Sequence, residues 1–93
     1  MCRQGMLKTV AETLVLNRFT EIRDIILWIE KRLECKVIEY TQQTPTDEDV
    51  KHLDSFFTFD LKHPDYEYMY IDVYYLIDRG SKYVITEISL NFE

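Results

Sequence analysis

The stretch YEYMYIDVYYLI, residues 66–77, decides the fold. Its side chains alternate in character, as they do on a β-strand whose two faces meet different surroundings. One face carries Met69, Ile71, Val73, Tyr75 and Ile77, and the other carries Tyr68, Tyr70, Asp72, Tyr74, Leu76 and Asp78. We predict a long strand that places the first set in the hydrophobic core.

Turn signals on both sides of this stretch join it to further strands. His63-Pro64-Asp65 precedes it, and proline fixes its own backbone and disfavours helix in the residue before it. Asp78-Arg79-Gly80-Ser81 follows it as a hairpin signal, in which Gly80 can adopt a positive φ. We therefore predict one strand that begins at Ser55 and another over residues 82–92.

These two neighbouring strands also alternate. In the first, the predicted core face carries Phe57, Phe59 and Leu61, and the opposite face carries Phe56, Thr58, Asp60 and Lys62. In the second, the residues predicted to share a face are Val84, Thr86, Ile88, Leu90 and Phe92.

The N-terminal third has a helical period instead. Residues 20–34 form the clearest helix, with an apolar stripe at spacings of three and four that comprises Phe19, Ile22, Ile26, Ile29 and Leu33. Residues 7–16 fit a second helix through Leu7, Val10, Ala11, Leu14 and Val15. The β-branched residues in that segment leave a strand as the alternative.

The middle of the chain is predicted to begin the sheet. Residues 36–41 read as a strand, residues 42–45 break it, and residues 47–54 read as a short helix with acidic residues in its first turn. The predicted class is α+β: an N-terminal helix or helical hairpin on one face of a four-stranded antiparallel sheet, in the order α-(α)-β-α(short)-β-β-β. Residues 1–93 form a single domain in this prediction, with residues 1–5 disordered.

Composition agrees with one globular domain. A chain of 93 residues with 46% hydrophobic and 14% aromatic content can bury one core. No apolar run approaches the roughly 18–20 residues that cross a bilayer, and no signal-peptide pattern opens the chain. With two cysteines, Cys2 and Cys35, we predict a cytoplasmic protein with free thiols.

Charge is distributed unevenly along the chain. Residues 1–36 hold seven Lys and Arg against five Asp and Glu, and residues 37–93 hold four against twelve, which gives +2 and −8 within the total of −6. Phosphate binding needs clustered basic residues, so this balance argues against nucleic acid as a direct ligand and favours a basic partner protein. A surface that is acidic only for solubility is the alternative.

No catalytic, cofactor-binding or metal-binding motif is present in the sequence. His52 and His63 are 11 residues apart without cysteines at ligand spacing, and we predict both at the surface or in turns. The chain has only two glycines and therefore no glycine-rich phosphate loop. We predict that the protein is not an enzyme and needs no cofactor.

The polar face of the 66–77 strand is the candidate partner-binding site. Tyrosine is enriched at protein interfaces, because its ring buries area at little entropic cost and its hydroxyl bonds polar neighbours. The candidate residues are Tyr68, Tyr70, Asp72, Tyr74, Asp60, Asp78 and Glu87. In the alternative, the N-terminal helix covers this face, or the rings only pack across strands on Phe56 and Tyr83.

These features predict a small acidic inhibitor that occupies a basic site on a partner protein. A nucleic-acid-handling enzyme is one such partner, and the inhibitor would then mimic DNA in charge. The AT-rich codon bias implied by the composition suggests a phage or mobile element acting against host defence. The alternatives are a self-associating adaptor domain, which would form a homodimer, and a toxin-neutralising immunity protein.

Overall fold

The computed structural model describes residues 3–43 and 55–92, and the predicted α+β class is confirmed for them. The elements in chain order are α1 Arg3–Glu12, β1 Arg18–Phe19, α2 Ile22–Leu33, β2 Lys36–Gln43, β3 Ser55–His63, β4 Tyr66–Ile77 and β5 Tyr83–Phe92. The helix predicted over residues 47–54 lies outside the described residues. Of the segment 1–5, residues 3–5 belong to α1 and the first two are not described.

The strands form one antiparallel sheet in the order β1-β5-β4-β3-β2. The four long strands are a meander in which each pairs with the next along the chain, and the tight turns predicted this for β3–β4 and β4–β5. A fifth strand departs from the prediction of four. Arg18 of β1 pairs with Val84 of β5, and Phe19 pairs with Tyr83. Two residues are too few to show a period in the sequence.

The second strand runs two residues further than predicted. β2 ends at Gln43, because Gln42 and Gln43 continue the ladder opposite Phe57 and Phe56. The Gln42 side-chain amide donates a hydrogen bond to the Tyr75 hydroxyl at 2.6 Å, which holds this end of β2 against the sheet.

Both helices pack on the same face of the sheet, where they bury the predicted core residues of β3 and β4. Phe57, Phe59, Ile71 and Val73 are fully buried. The helices contribute Ala11, Leu14, Ile25, Ile29 and Leu33 to the same cluster. The core therefore lies between one sheet face and the helices.

Helix α2 lies within the predicted residues 20–34, and Ile22, Ile26, Ile29 and Leu33 of its predicted stripe lie in the core or pack against it. Phe19 belongs to β1, and the fully buried positions are Ile25, Ile29 and Leu33. The helix begins with a capping box between Glu21 and Asp24, two residues after the predicted start.

Helix α1 confirms the helical interpretation of residues 7–16 as far as Glu12, and the strand alternative is wrong. The chain then turns, and Leu16 adopts a left-handed conformation with φ of 72°. Its N–H donates to the Ile85 carbonyl at 2.7 Å, and Ile85 N–H donates to the Asn17 carbonyl at 3.0 Å. These bonds tie the end of the α1 turn to the edge of the sheet.

A β-bulge in β5 reverses part of the predicted facing. Tyr75 pairs with Ile85 while Tyr74 pairs with Glu87, so Thr86 is an extra residue. Ile85 is consequently fully buried, and the prediction that Val84 and Thr86 share a face with Ile88, Leu90 and Phe92 is wrong. Ile77, also predicted in the core, is 56% exposed at the end of β4.

Both predicted turns are present. Pro64 and Asp65 connect β3 to β4, and residues 78–82 connect β4 to β5. In the second turn Ser81, and not Gly80, has the positive φ, at 61°. Asp78 organises this turn, because its Oδ1 accepts hydrogen bonds from the N–H groups of Gly80 at 2.8 Å and Lys82 at 3.0 Å.

Neither described helix has the length and apolar character that a membrane span requires.

Candidate partner-binding site

The sheet face opposite the helices carries most of the predicted site, and we call it the open face. Strand alternation and register place on it Arg18 of β1, Lys36, Glu39, Thr41 and Gln43 of β2, Phe56, Thr58, Asp60 and Lys62 of β3, Tyr68, Tyr70, Asp72, Tyr74 and Leu76 of β4, and Val84, Glu87, Ser89 and Asn91 of β5. Neither described helix covers it, since both pack on the other side. The alternative that the N-terminal helix covers the tyrosine face is therefore wrong.

Six of the seven candidate residues meet on the open face. Asp60 lies opposite Tyr70, and Tyr74 lies opposite Glu87. Tyr68 and Asp72 stand in the same row of β4. This grouping follows from the alternation of β4 together with the register of its two neighbours, and the sequence alone does not provide that register.

Asp78 is separate from the other six. Its carboxylate binds the backbone of the β4–β5 turn, and its Oδ2 lies 3.7 Å from Nη1 of Arg18. These backbone N–H groups and the Arg18 guanidinium lower the pKa of Asp78. The structure gives this side chain a role in the hairpin.

The tyrosines near Asp60 form one half of the open face. The rings of Tyr68 and Tyr70 are 5.5 Å apart, and the Tyr68 hydroxyl donates to Oδ1 of Asp60 at 3.3 Å. Tyr68 is 41% exposed, and Tyr70 is partly buried by its neighbours. This half offers ring surface and hydroxyl groups together with a carboxylate.

The other half is built on a ring pair. Phe56 and Tyr74 have ring centroids 4.9 Å apart across β3 and β4. Of the two cross-strand contacts considered in the sequence, this one is present, but Tyr83 lies on the core side against Phe57 and Tyr75. The Phe56–Tyr74 pair therefore forms a half-buried apolar surface that neither described helix covers.

Carboxylates border that ring pair. Partial burial raises the pKa of the Tyr74 phenol, and the charges of Asp72 and Glu87 raise it further. Thr58 donates to Oδ1 of Asp72 at 2.7 Å. Tyr74 thus stays a neutral donor and acceptor beside two negative charges.

The open face also contains a residue that sequence reasoning missed. Glu39 lies directly opposite Asp60 on the adjacent strand. A bulge at Ile38 sets this pairing, because Val37 pairs with Leu61 before it and Glu39 with Asp60 after it. Strand alternation without the bulge gives no indication of it.

Leu76 and Val84 were likewise outside the predicted site, and they add apolar surface at the turn end of the face.

The remaining reactive groups to consider are possible metal ligands, the Cys35 thiol and the two histidines. Among residues 3–43 and 55–92 no group of three or more His, Cys, Asp and Glu is placed to hold a metal ion. Cys35 is a free, half-buried thiol whose pKa is raised to about 12 by burial and by the charge of Glu30, so little of it is thiolate near neutral pH. His63 lies at the predicted turn, but it is only 9% exposed, contrary to a surface position. His52 lies outside the described residues.

Comparison with protein-family models, with curated proteins and with solved structures finds no match for this chain.

Proposed function

We propose that this chain is a non-enzymatic protein-binding module whose open face occupies a basic site on a partner protein. The observation that carries the proposal is the pairing of Glu39 with Asp60 on a face that also holds Asp72 and Glu87. Like charges directly opposite each other on neighbouring strands destabilise a sheet. A cationic partner would convert that repulsion into attraction, which gives the arrangement a use outside the isolated fold.

The aromatic side chains suit the same partner. Arginine is the cation that stacks on aromatic rings and forks onto carboxylates at once. The ring of Tyr74 on Phe56 supplies a stacking surface next to Asp72 and Glu87. Arg-rich surfaces that handle nucleic acid have this chemistry, and an acidic face that occupies one would act as an inhibitor. Phages and mobile elements encode small antagonists of this general kind.

The charge of the open face argues against its use as a two-fold dimer interface. In such an interface the same patch meets itself, so Glu39, Asp60, Asp72 and Glu87 would oppose their own copies. Among the described residues, Lys36 and Lys62, which pair with each other, do not balance these four carboxylates, and Arg18, opposite Val84, already lies 3.7 Å from Asp78. A basic partner therefore fits better than self-association. An immunity protein that neutralises a basic toxin would use the same face, and only the identity of the partner separates these two functions.

Capture from a bacterial lysate at about 50 mM salt, with identification of the bound proteins, tests the proposal. We expect the captured partner to have a basic site and to dissociate from this chain as salt rises to about 500 mM. Polyanions should compete with this chain for that site. Glu87→Gln weakens the interaction. Glu12→Gln, which removes the same charge from an exposed position in α1, leaves it unchanged.

Size-exclusion chromatography with light scattering measures the oligomeric state and tests the self-associating alternative. A monomer at both salt concentrations agrees with the proposal. A dimer that resists high salt, together with no capture of a basic protein, would overturn it in favour of the self-associating domain.

A further inference from the structure

A small cavity lies on the helix side of the molecule, away from the open face. Its volume is about 280 Å³, near the lower end of ordinary ligand pockets, which begin at about 300 Å³. It is lined by Met6, Leu7 and Val10 of α1, Arg32 and Leu33 of α2, Glu34 after α2, and His63 at the end of β3. A single amino acid is a ligand of suitable size.

His63 provides a fixed hydrogen-bond donor for this cavity. It is 9% exposed, and its Nδ1 accepts the N–H of Asp65 at 3.0 Å. In the neutral ring this bond leaves the proton on Nε2. No described residue bonds to Nε2, yet no buried side-chain nitrogen or oxygen of the described residues lacks a partner. Nε2 is therefore accessible, and His63 is one of the residues that line the cavity.

Two opposite charges complete the polar part of the lining. Arg32 contacts the Trp28 ring, 5.7 Å from the ring centroid, and makes no ion pair with any described carboxylate. Glu34 ends α2 in a left-handed conformation with φ of 51°. Glycine is the usual residue at such a position, and an acidic side chain is unfavourable at the negative end of a helix. The carboxylate of Glu34 thus has no local stabilising role that explains it.

We propose that this cavity binds the zwitterion of an apolar α-amino acid. The ligand carboxylate receives hydrogen bonds from Arg32 and from Nε2 of His63, and its ammonium group donates to Glu34. Its side chain packs on Leu7, Val10 and Leu33, with the flexible Met6 at the rim. A simple fatty acid would leave Glu34 facing an anion, so the complete lining favours the zwitterion.

Titration with L-leucine tests this proposal on the intact chain. Trp28 is the only tryptophan, and its contact with Arg32 makes its fluorescence a reporter of the cavity. We expect a saturable change with L-leucine. N-acetyl-L-leucine lacks the ammonium group and L-leucinamide lacks the carboxylate, so both should bind at least about tenfold more weakly, the cost of one charge-assisted contact.

Matched substitutions locate the binding. Calorimetry is used here, because Arg32→Gln also removes the contact with Trp28. Arg32→Gln and Glu34→Gln should each weaken L-leucine binding about tenfold or more, whereas Arg23→Gln, at an exposed position of α2, should not. Arg32 and Glu34 are both exposed, so their variants should fold. The absence of a saturable response to L-leucine at about 10 mM would overturn the proposal. Equal binding of N-acetyl-L-leucine, or unchanged binding by Glu34→Gln, would do so too. The open face takes no part in this test, so either proposal can fail alone.

Discussion

Glu39 of β2 and Asp60 of β3 lie directly opposite each other on the open face. Two negative charges at a cross-strand pair cost stability. The Tyr68 hydroxyl donates one hydrogen bond to Asp60, at 3.3 Å, and Lys36 and Lys62 form a neighbouring pair on the same face. The fold therefore retains a repulsive contact where a Thr or Lys would stabilise the sheet.

Glu39→Gln should stabilise the isolated protein. Removing one of the two charges is expected to raise the free energy of unfolding by about 0.2–1 kcal/mol, the size of a cross-strand pair effect. Urea unfolding at about 50 mM salt measures it. Because salt screens exposed charges, the gain should shrink at about 1 M salt. A gain of the same size at both salt concentrations would show that repulsion from Asp60 is not its cause.

Because of the bulge at Thr86, we expect substitutions at the adjacent residues Ile85 and Val84 to differ in their effect on stability. Ile85 is fully buried and Val84 is on the open face, so Ile85→Ala should lower the free energy of unfolding by about 2–5 kcal/mol. Val84→Ala should cost less than about 1 kcal/mol, because little buried volume is lost. Urea unfolding of the two variants compares them. If Val84→Ala lowered the free energy of unfolding more than Ile85→Ala, Val84 would face the core, as simple alternation predicts.

That reversed facing shows where sequence reasoning stops for this fold. Alternation correctly predicted the core face of β3 and of β4 through Tyr75, because each face is uniform over several residues. A bulge leaves no period of its own, so the facing before Thr86 and the pairing of Glu39 after Ile38 required the structure.

Part of the candidate site can be predicted from the sequence, and the rest requires the structure. The tyrosine row of β4 is visible in sequence because its members belong to one strand. The side on which the helices pack is not visible, since both faces of β4 contain large side chains that could be buried. The separate position of Asp78 also depends on where the strand ends and the turn begins.

Asp78 should make stability depend on acidic pH. Its pKa is lowered from an ordinary 3.8, so the contribution of the carboxylate is fully present above that value. It is lost as pH falls below 3.8 through the lower pKa of the folded state. The difference in unfolding free energy between the wild type and Asp78→Ala should therefore be larger at pH 7 than at pH 2, measured by urea unfolding at both. A difference that does not change with pH would assign the role of Asp78 to something other than its charge.

Tyr74→Ser should separate binding from folding. Tyr74 is partly buried on Phe56, so its loss removes some ring contact, about 0.5–1.5 kcal/mol beyond the area lost. The core is untouched, and circular dichroism should show the native fold. Binding of the basic partner should weaken more than tenfold, because the stacking surface beside Asp72 and Glu87 is gone, whereas Tyr74→Phe keeps that ring and should retain most of the affinity. Equal affinity of wild type and Tyr74→Ser for that partner would move the interface away from this half of the open face. Equal losses in the Ser and Phe variants would instead assign the contribution to the phenol hydroxyl.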